Sequence, residues 1–256
     1  NLEGDYANQN WIAGGSAPDG IETDSNFVYW ANYTSNAIGR ANRDGSGADQ
    51  AWIDGCDGPT GIAVNSSMVY WANFDSNTIG RANLDGTGVD QNWITGCNVP
   101  SGVAVDSNYV YWTNYYGDSI GRANLDGSDV NQGWISGAGG AYEVEVDATN
   151  VYWTVYSGNT IGRANLDGSG VNASWIEGCH GPSGITMDSM YVYWTNYDSD
   201  WVGRARLDGS SVVQDWILTG SNPIGIALAL GGGEGEGEGE GEGEGEGEGE
   251  GEGEGE

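Results

Sequence analysis

Val-Tyr-Trp ends at Trp30, Trp71, Trp112, Trp153 and Trp194, and each step between neighbours is 41 residues. A second marker, Ile/Val-Gly-Arg, keeps the same step and ends at Arg40, Arg81, Arg122, Arg163 and Arg204. A third, Trp-Ile, begins at Trp11, Trp52, Trp93, Trp134, Trp175 and Trp216. Nothing is inserted or deleted between these markers. A strict period means that one small unit is copied, that no unit buries its apolar face alone, and that neighbours must stack. A step of roughly 40–45 residues is the length of one four-stranded propeller blade.

The residue types within a unit agree. The second unit holds GIAV (61–64), MVYWAN (68–73), TIGRAN (78–83) and VDQNWI (89–94), four short apolar runs separated by turn residues. Asp85-Gly86 between the last two predicts a type I′ hairpin turn. No run has a helical period, and strands this short need stacked neighbours and a closed ring to hide their edges. Residues 1–12 match the end of a unit, and Pro223-Ile224-Gly225-Ile226-Ala227-Leu228 match the start of one. The expectation is an all-β, six-bladed β-propeller over residues 1–230. Its sixth blade would take an outermost strand from residues 6–12 and an innermost strand from 224–230. The two middle strands of that blade are missing. In their place stands a low-complexity tail, residues 231–256, of three glycines and then alternating Glu and Gly. Three readings of the tail are open: it fills the sixth blade, it pairs with a neighbouring subunit, or it stands in for unassigned sequence.

Val-Tyr-Trp-Thr followed by Ile-Gly-Arg-Ala-Asn-Leu-Asp-Gly resembles the Tyr-Trp-Thr-Asp repeat of low-density-lipoprotein-receptor-type six-bladed propellers, a repeat also similar to that of bacterial secreted proteins. The resemblance implies a propeller in an extracellular or cell-surface setting. It implies no catalysis, because the family's best-known members bind other proteins. The family's Asp is replaced by Asn32, Asn73, Asn114 and Asn196, and by Val155 in the fourth unit. The virginiamycin B lyases, propeller enzymes with related repeats, also resemble the chain at fold level. That family relies on His and Glu groups around a metal, and the single histidine here, His180, cannot fill those roles.

Charge narrows the function classes. The net charge is −31, with seven Arg and no Lys. Twelve Glu of the tail account for part of it and leave about −19 elsewhere. Phosphates would be repelled, which opposes nucleic-acid binding, while a basic partner or divalent cations would be attracted. No apolar run is long enough to span a membrane. The chain opens in mid-repeat at Asn1 with no signal peptide, as expected of a processed secreted protein. Sequons at Asn32, Asn65 and Asn172 are expected to be exposed and make glycans possible partners.

Among the side chains, Cys56, Cys97 and Cys179 share one position per unit, and their odd number predicts at least one free or intermolecular thiol. The set Asp44, Asp85, Asp126, Asp167 and Asp208 reads as turn residues. The repeated arginines read as structural, their stems on Trp or Tyr and their guanidinium groups on a neighbouring blade. Glu22 and Glu145 share a phase three units apart and should face each other across a six-bladed ring, where oxygen ligands would suit calcium. The fourth unit has Tyr142-Glu143 where others keep a Pro-x-Gly pattern, and Trp201 is extra to the repeat; these three are contact candidates. The uniform loops favour a non-enzymatic scaffold, a self-associating surface or filament subunit. A ligand- or protein-binding propeller is the alternative, and a lyase-like enzyme comes third.

Overall fold

The computed structural model describes residues 12–228. Among these residues the chain forms five four-stranded antiparallel sheets, each a simple meander. The first blade comprises β1 (Pro18–Thr23), β2 (Phe27–Asn32), β3 (Ala37–Asn42) and β4 (Asp49–Ile53). The second comprises β5 (Pro59–Val64), β6 (Met68–Asn73), β7 (Thr78–Asn83) and β8 (Asp90–Thr95). The third runs from β9 (Pro100–Val105) through β10 (Tyr109–Asn114) and β11 (Ser119–Asn124) to β12 (Asn131–Ser136). The fourth has a shortened inner strand, β13 (Val144–Val146), then β14 (Asn150–Val155), β15 (Thr160–Asn165) and β16 (Asn172–Glu177). The fifth comprises β17 (Pro182–Met187), β18 (Tyr191–Asn196), β19 (Trp201–Arg206) and β20 (Val213–Leu218).

The Val-Tyr-Trp strand is buried on both faces because each sheet is sandwiched between neighbours. Tyr29, Ala31, Ile38 and Ile53 of the first blade pack against Ile62, Val69, Trp71 and Ala82 of the second. The Trp71, Trp112, Trp153 and Trp194 side chains are wholly buried, and each lies over the glycine of its own Ile/Val-Gly-Arg, where a Cβ would overlap the indole. Arginine ties blades together as expected. Arg40 stacks between Phe27 and Trp52, with its guanidinium carbon 4.4 and 4.3 Å from the ring centroids, and its Nη1 donates to the Leu84 carbonyl of the next blade at 2.9 Å. Arg81, Arg122 and Arg163 reach Leu125, Leu166 and Leu207 in the same way.

Two expectations are corrected here. The described residues form five blades, not six. Residues 223–228 lie beside β17 and β1 at the sixth inner position but do not pair as a strand. An inner strand acquires its ladder from the second strand of its own blade, and the repeat supplies none there. Most of the expected outer strand, residues 6–11, and the tail 231–256 lie outside the described residues. The Asp-Gly turns are also not type I′. Gly86 has φ 86° and accepts the left-handed conformation alone, while Asp85 stays at negative φ. Gly86 N donates to the Asn83 carbonyl and Asn83 N to the Thr87 carbonyl, a type I turn followed by a glycine bulge. Asp85 Oδ1 accepts from Thr87 N at 2.9 Å and Thr87 Oγ1 at 2.6 Å, which explains the recurring Asp.

Candidate functional site

Antiparallel pairing puts the start of each inner strand and the end of each second strand on one face. Pro18 is opposite Asn32, Pro59 opposite Asn73 and Pro182 opposite Asn196. The residue after each second strand is aromatic in every blade: Tyr33, Phe74, Tyr115, Tyr156 and Tyr197, again 41 residues apart. Backbone bonds fix four of them, since Tyr33, Phe74, Tyr115 and Tyr197 donate their N–H to the carbonyls of Ala17, Gly58, Val99 and Gly181. Five rings therefore stand around the propeller axis.

A sixth ring fills the middle. Tyr142 occupies the phase held elsewhere by Asp19, Thr60, Ser101 and Ser183, and its hydroxyl donates across the axis to Asp19 Oδ2 at 3.2 Å. Its ring centroid lies 6.0 Å from Tyr115 at 86° and 6.4 Å from Tyr156 at 46°. Tyr156 and Tyr197 are 6.0 Å apart at 66°, and Tyr33 and Phe74 6.3 Å apart at 77°. These rings, with Asp19, Thr60, Ser183 and Ile224, line a cup of about 420 Å³. At its rim the Tyr33 and Tyr156 hydroxyls point to Asp75 and Asp198, each at 3.4 Å.

Beneath the cup the inner strands close on one another. Glycine recurs at residues 20, 61, 102, 184 and 225, because a Cβ at Gly61 would sit 2.5 Å from the Ser101 carbonyl oxygen. The fourth blade has Glu143 at this phase. Below it Glu22 and Glu145 line the same narrow space. The three glutamates line a constriction of only about 20 Å³. Burial pushes the Asp19 carboxyl up to about 6 against the opposing bond from Tyr142. Burial also raises Glu143 well above the ordinary carboxylate range. Glu22 and Glu145 are raised by burial, and Glu145 further by the charge of Glu22. Each of the three accepts the backbone N–H of the following residue. Among the described residues no group of three or more His, Cys, Asp or Glu is arranged to hold a metal ion. Calcium takes six to eight oxygens, more than the Glu22 and Glu145 carboxylates supply by themselves.

The other sequence candidates lie elsewhere. Trp201 begins β19, opposite Leu218, and does not line the cup. His180 is exposed and fixed through its backbone, its N–H on Asn196 Oδ1 and its carbonyl on Asp198 N. Cys56, Cys97 and Cys179 are free and buried, and burial pushes their thiols up to about 11, 12 and 12, which keeps them protonated and unreactive at neutral pH. Asn172 is exposed and Asn65 partly so. Asn32 is a correction: it is wholly buried, its Oδ1 accepts from Ser16 N and its Nδ2 donates to the Gln50 carbonyl, so the folded chain offers no amide for a glycan. The aromatic ring was the feature missed. Its signal was the 41-residue step itself, read along the column after Asn32 rather than within the strands.

No protein-family model matches the chain, and no curated protein matches it. Solved structures do. A chain of a nidogen–laminin complex aligns with TM-score 0.74 at 22% identity over 84% of this chain and 86% of its own length. Virginiamycin B lyase from Staphylococcus aureus aligns with TM-score 0.65 at 21% identity over 83% and 74%. A gluconolactonase from Xanthomonas campestris aligns with TM-score 0.69 at 14% identity over 82% and 79%. Two of these three are enzymes, so the expectation that the chain is not an enzyme is overturned as an inference from the fold. Among the described residues no helix is long and apolar enough to cross a membrane. What these likenesses establish is the fold: the chain is an all-β propeller of four-stranded antiparallel blades.

Proposed function

We propose that this propeller is a binding module whose ligand seats in the aromatic cup. The observation that carries the reading is convergence: rings from all five blades and Tyr142 face one cavity of about 420 Å³ over a single carboxylate, Asp19. That volume falls within the range of small-molecule sites, and apolar walls with a few placed polar groups are their usual composition. The uniform loops that favoured a scaffold support binding equally well, because the repeated loop residue is an aromatic side chain aimed at a common axis. The occurrence of the same fold in a nidogen–laminin complex is in keeping with a recognition role.

The test is saturation-transfer NMR with a mixed set of small organic compounds on the intact chain and on a Tyr115→Ala/Tyr156→Ala variant. Compounds that receive magnetisation from the intact chain should lose it in the variant, whose melting curve reports whether it remains folded. Compounds that bind both proteins alike would overturn the cup as the site.

A further inference from the structure

We infer that the cup takes a small organic cation of the quaternary ammonium type; the inference rests on the binding reading above and adds the chemical class. Three observations lead to it. The first is geometry. Neighbouring rings stand at 77°, 86° and 66° to one another, so they enclose a space instead of stacking flat, and tilted aromatic walls are how alkylated ammonium groups are held. The second is charge. The cup floor is Asp19 and its rim carries Asp75 and Asp198, while no Lys, Arg or His lines it. Arg40, Arg81, Arg122, Arg163 and Arg204 are all stacked on the outer tryptophans Trp52, Trp93, Trp134, Trp175 and Trp216. A cation entering from this face meets unopposed carboxylates, and an anion is repelled.

The third observation is where the hydroxyls point. Tyr33, Tyr142 and Tyr156 donate their protons to Asp75, Asp19 and Asp198. Three of the donors that a neutral, hydroxyl-rich ligand such as a sugar would use are therefore committed. What remains is aromatic surface with negative charge behind it. A quaternary ammonium needs just that, since it has no N–H to satisfy and presents methyl groups to the rings.

The test uses the full chain and calorimetry with two probes of the same shape: choline, and 3,3-dimethylbutan-1-ol, in which carbon replaces the charged nitrogen. Choline should bind at least about tenfold more tightly than its neutral isostere. Asp19→Asn should weaken choline by a larger factor than the neutral alcohol, and added salt should weaken choline alone. Equal binding of the two probes would overturn the cation inference while leaving the cup a binding site. Failure of choline to bind, with other compounds still detected in the cup by NMR, would overturn it in the same way. Failure of every compound in both experiments would bring down the binding reading itself.

Discussion

At the scale of single residues, the decisive feature is that carboxyls sit where water is scarce. Glu145 is held above its ordinary value of 4.5 by burial and by the charge of Glu22, and Glu22 by burial. The sign follows from proton binding. Between the ordinary value and the raised one the folded chain carries more protons than the unfolded chain, so stability falls as pH rises through that window. Below the ordinary value both states are protonated and the penalty is absent. Glu145→Gln is thus expected to match the parent near pH 4 and to exceed it by about 1–3 kcal/mol at pH 8. Melting temperatures across that range check it, and parallel curves for the two proteins would sink the explanation. The shared phase of these two glutamates was legible beforehand, because an exact repeat gives each residue's place in its unit by number alone. The fate of Asn32 was not. Nothing in its triplet shows that the amide would be turned inward to meet Ser16 N and the Gln50 carbonyl.

At the scale of elements, each blade is a copy whose exceptions are informative. Gln91, Gln132 and Gln214 each receive the indole N–H of their own blade's Trp and donate to a carbonyl and a Cys Sγ at the end of the preceding blade. In the fourth blade both partners become alanine, Ala138 and Ala173, and Trp153 Nε1 donates directly to the Ala138 carbonyl at 2.8 Å. In the first blade Gln50 keeps the indole bond and a carbonyl, Ala13, although Gly15 stands at the cysteine position, so the glutamine serves the indole and the thiol is an added acceptor where it occurs. A second recurring position leads into the inner strand, directly before it in blades one, two, three and five and four residues before it in blade four, and there the chain bends through positive φ. Gly58, Gly140 and Gly181 do so at 59°, 76° and 61°, but Val99 is forced to 54°. A β-branched side chain there is strained by about 1–2 kcal/mol. Val99→Gly should accordingly raise stability by about 1 kcal/mol despite the lost side-chain contacts, measured by urea unfolding. Destabilisation would mean that the packing of Val99 outweighs its backbone cost. Strands and their order were readable from alternating runs and turn residues; this bend was not, since Ala17, Val99 and Asn222 carry no glycine to mark it.

At the scale of the whole molecule, five blades share a ring of six positions. Asp19 and Tyr142, like Glu22 and Glu145, are three repeats apart, and the Tyr142 hydroxyl meets Asp19 across the axis. The sixth inner position belongs to residues 223–228, which follow Asn222 at φ 52°, the same bend that precedes other inner strands. Side chains hold this segment on both sides. Thr195 Oγ1 donates to the Ile224 carbonyl at 2.6 Å and Ser183 Oγ to the Pro223 carbonyl at 3.0 Å, while Thr23 Oγ1 reaches the Leu228 carbonyl at 2.9 Å. Gly184 and Gly225 lie so close to the Ile224 and Asp19 carbonyls that neither could carry a Cβ. Residues 223–228 thus bridge the fifth blade to the first without a ladder of their own. Compared with a chain ending at residue 230, a chain ending at 221 should lose these three bonds, several kcal/mol of stability and the Ile224 wall of the cup together. Thermal unfolding and choline titration of the two truncated chains measure both effects. Equal melting temperatures and equal affinities would show that the ring holds its shape without its sixth segment.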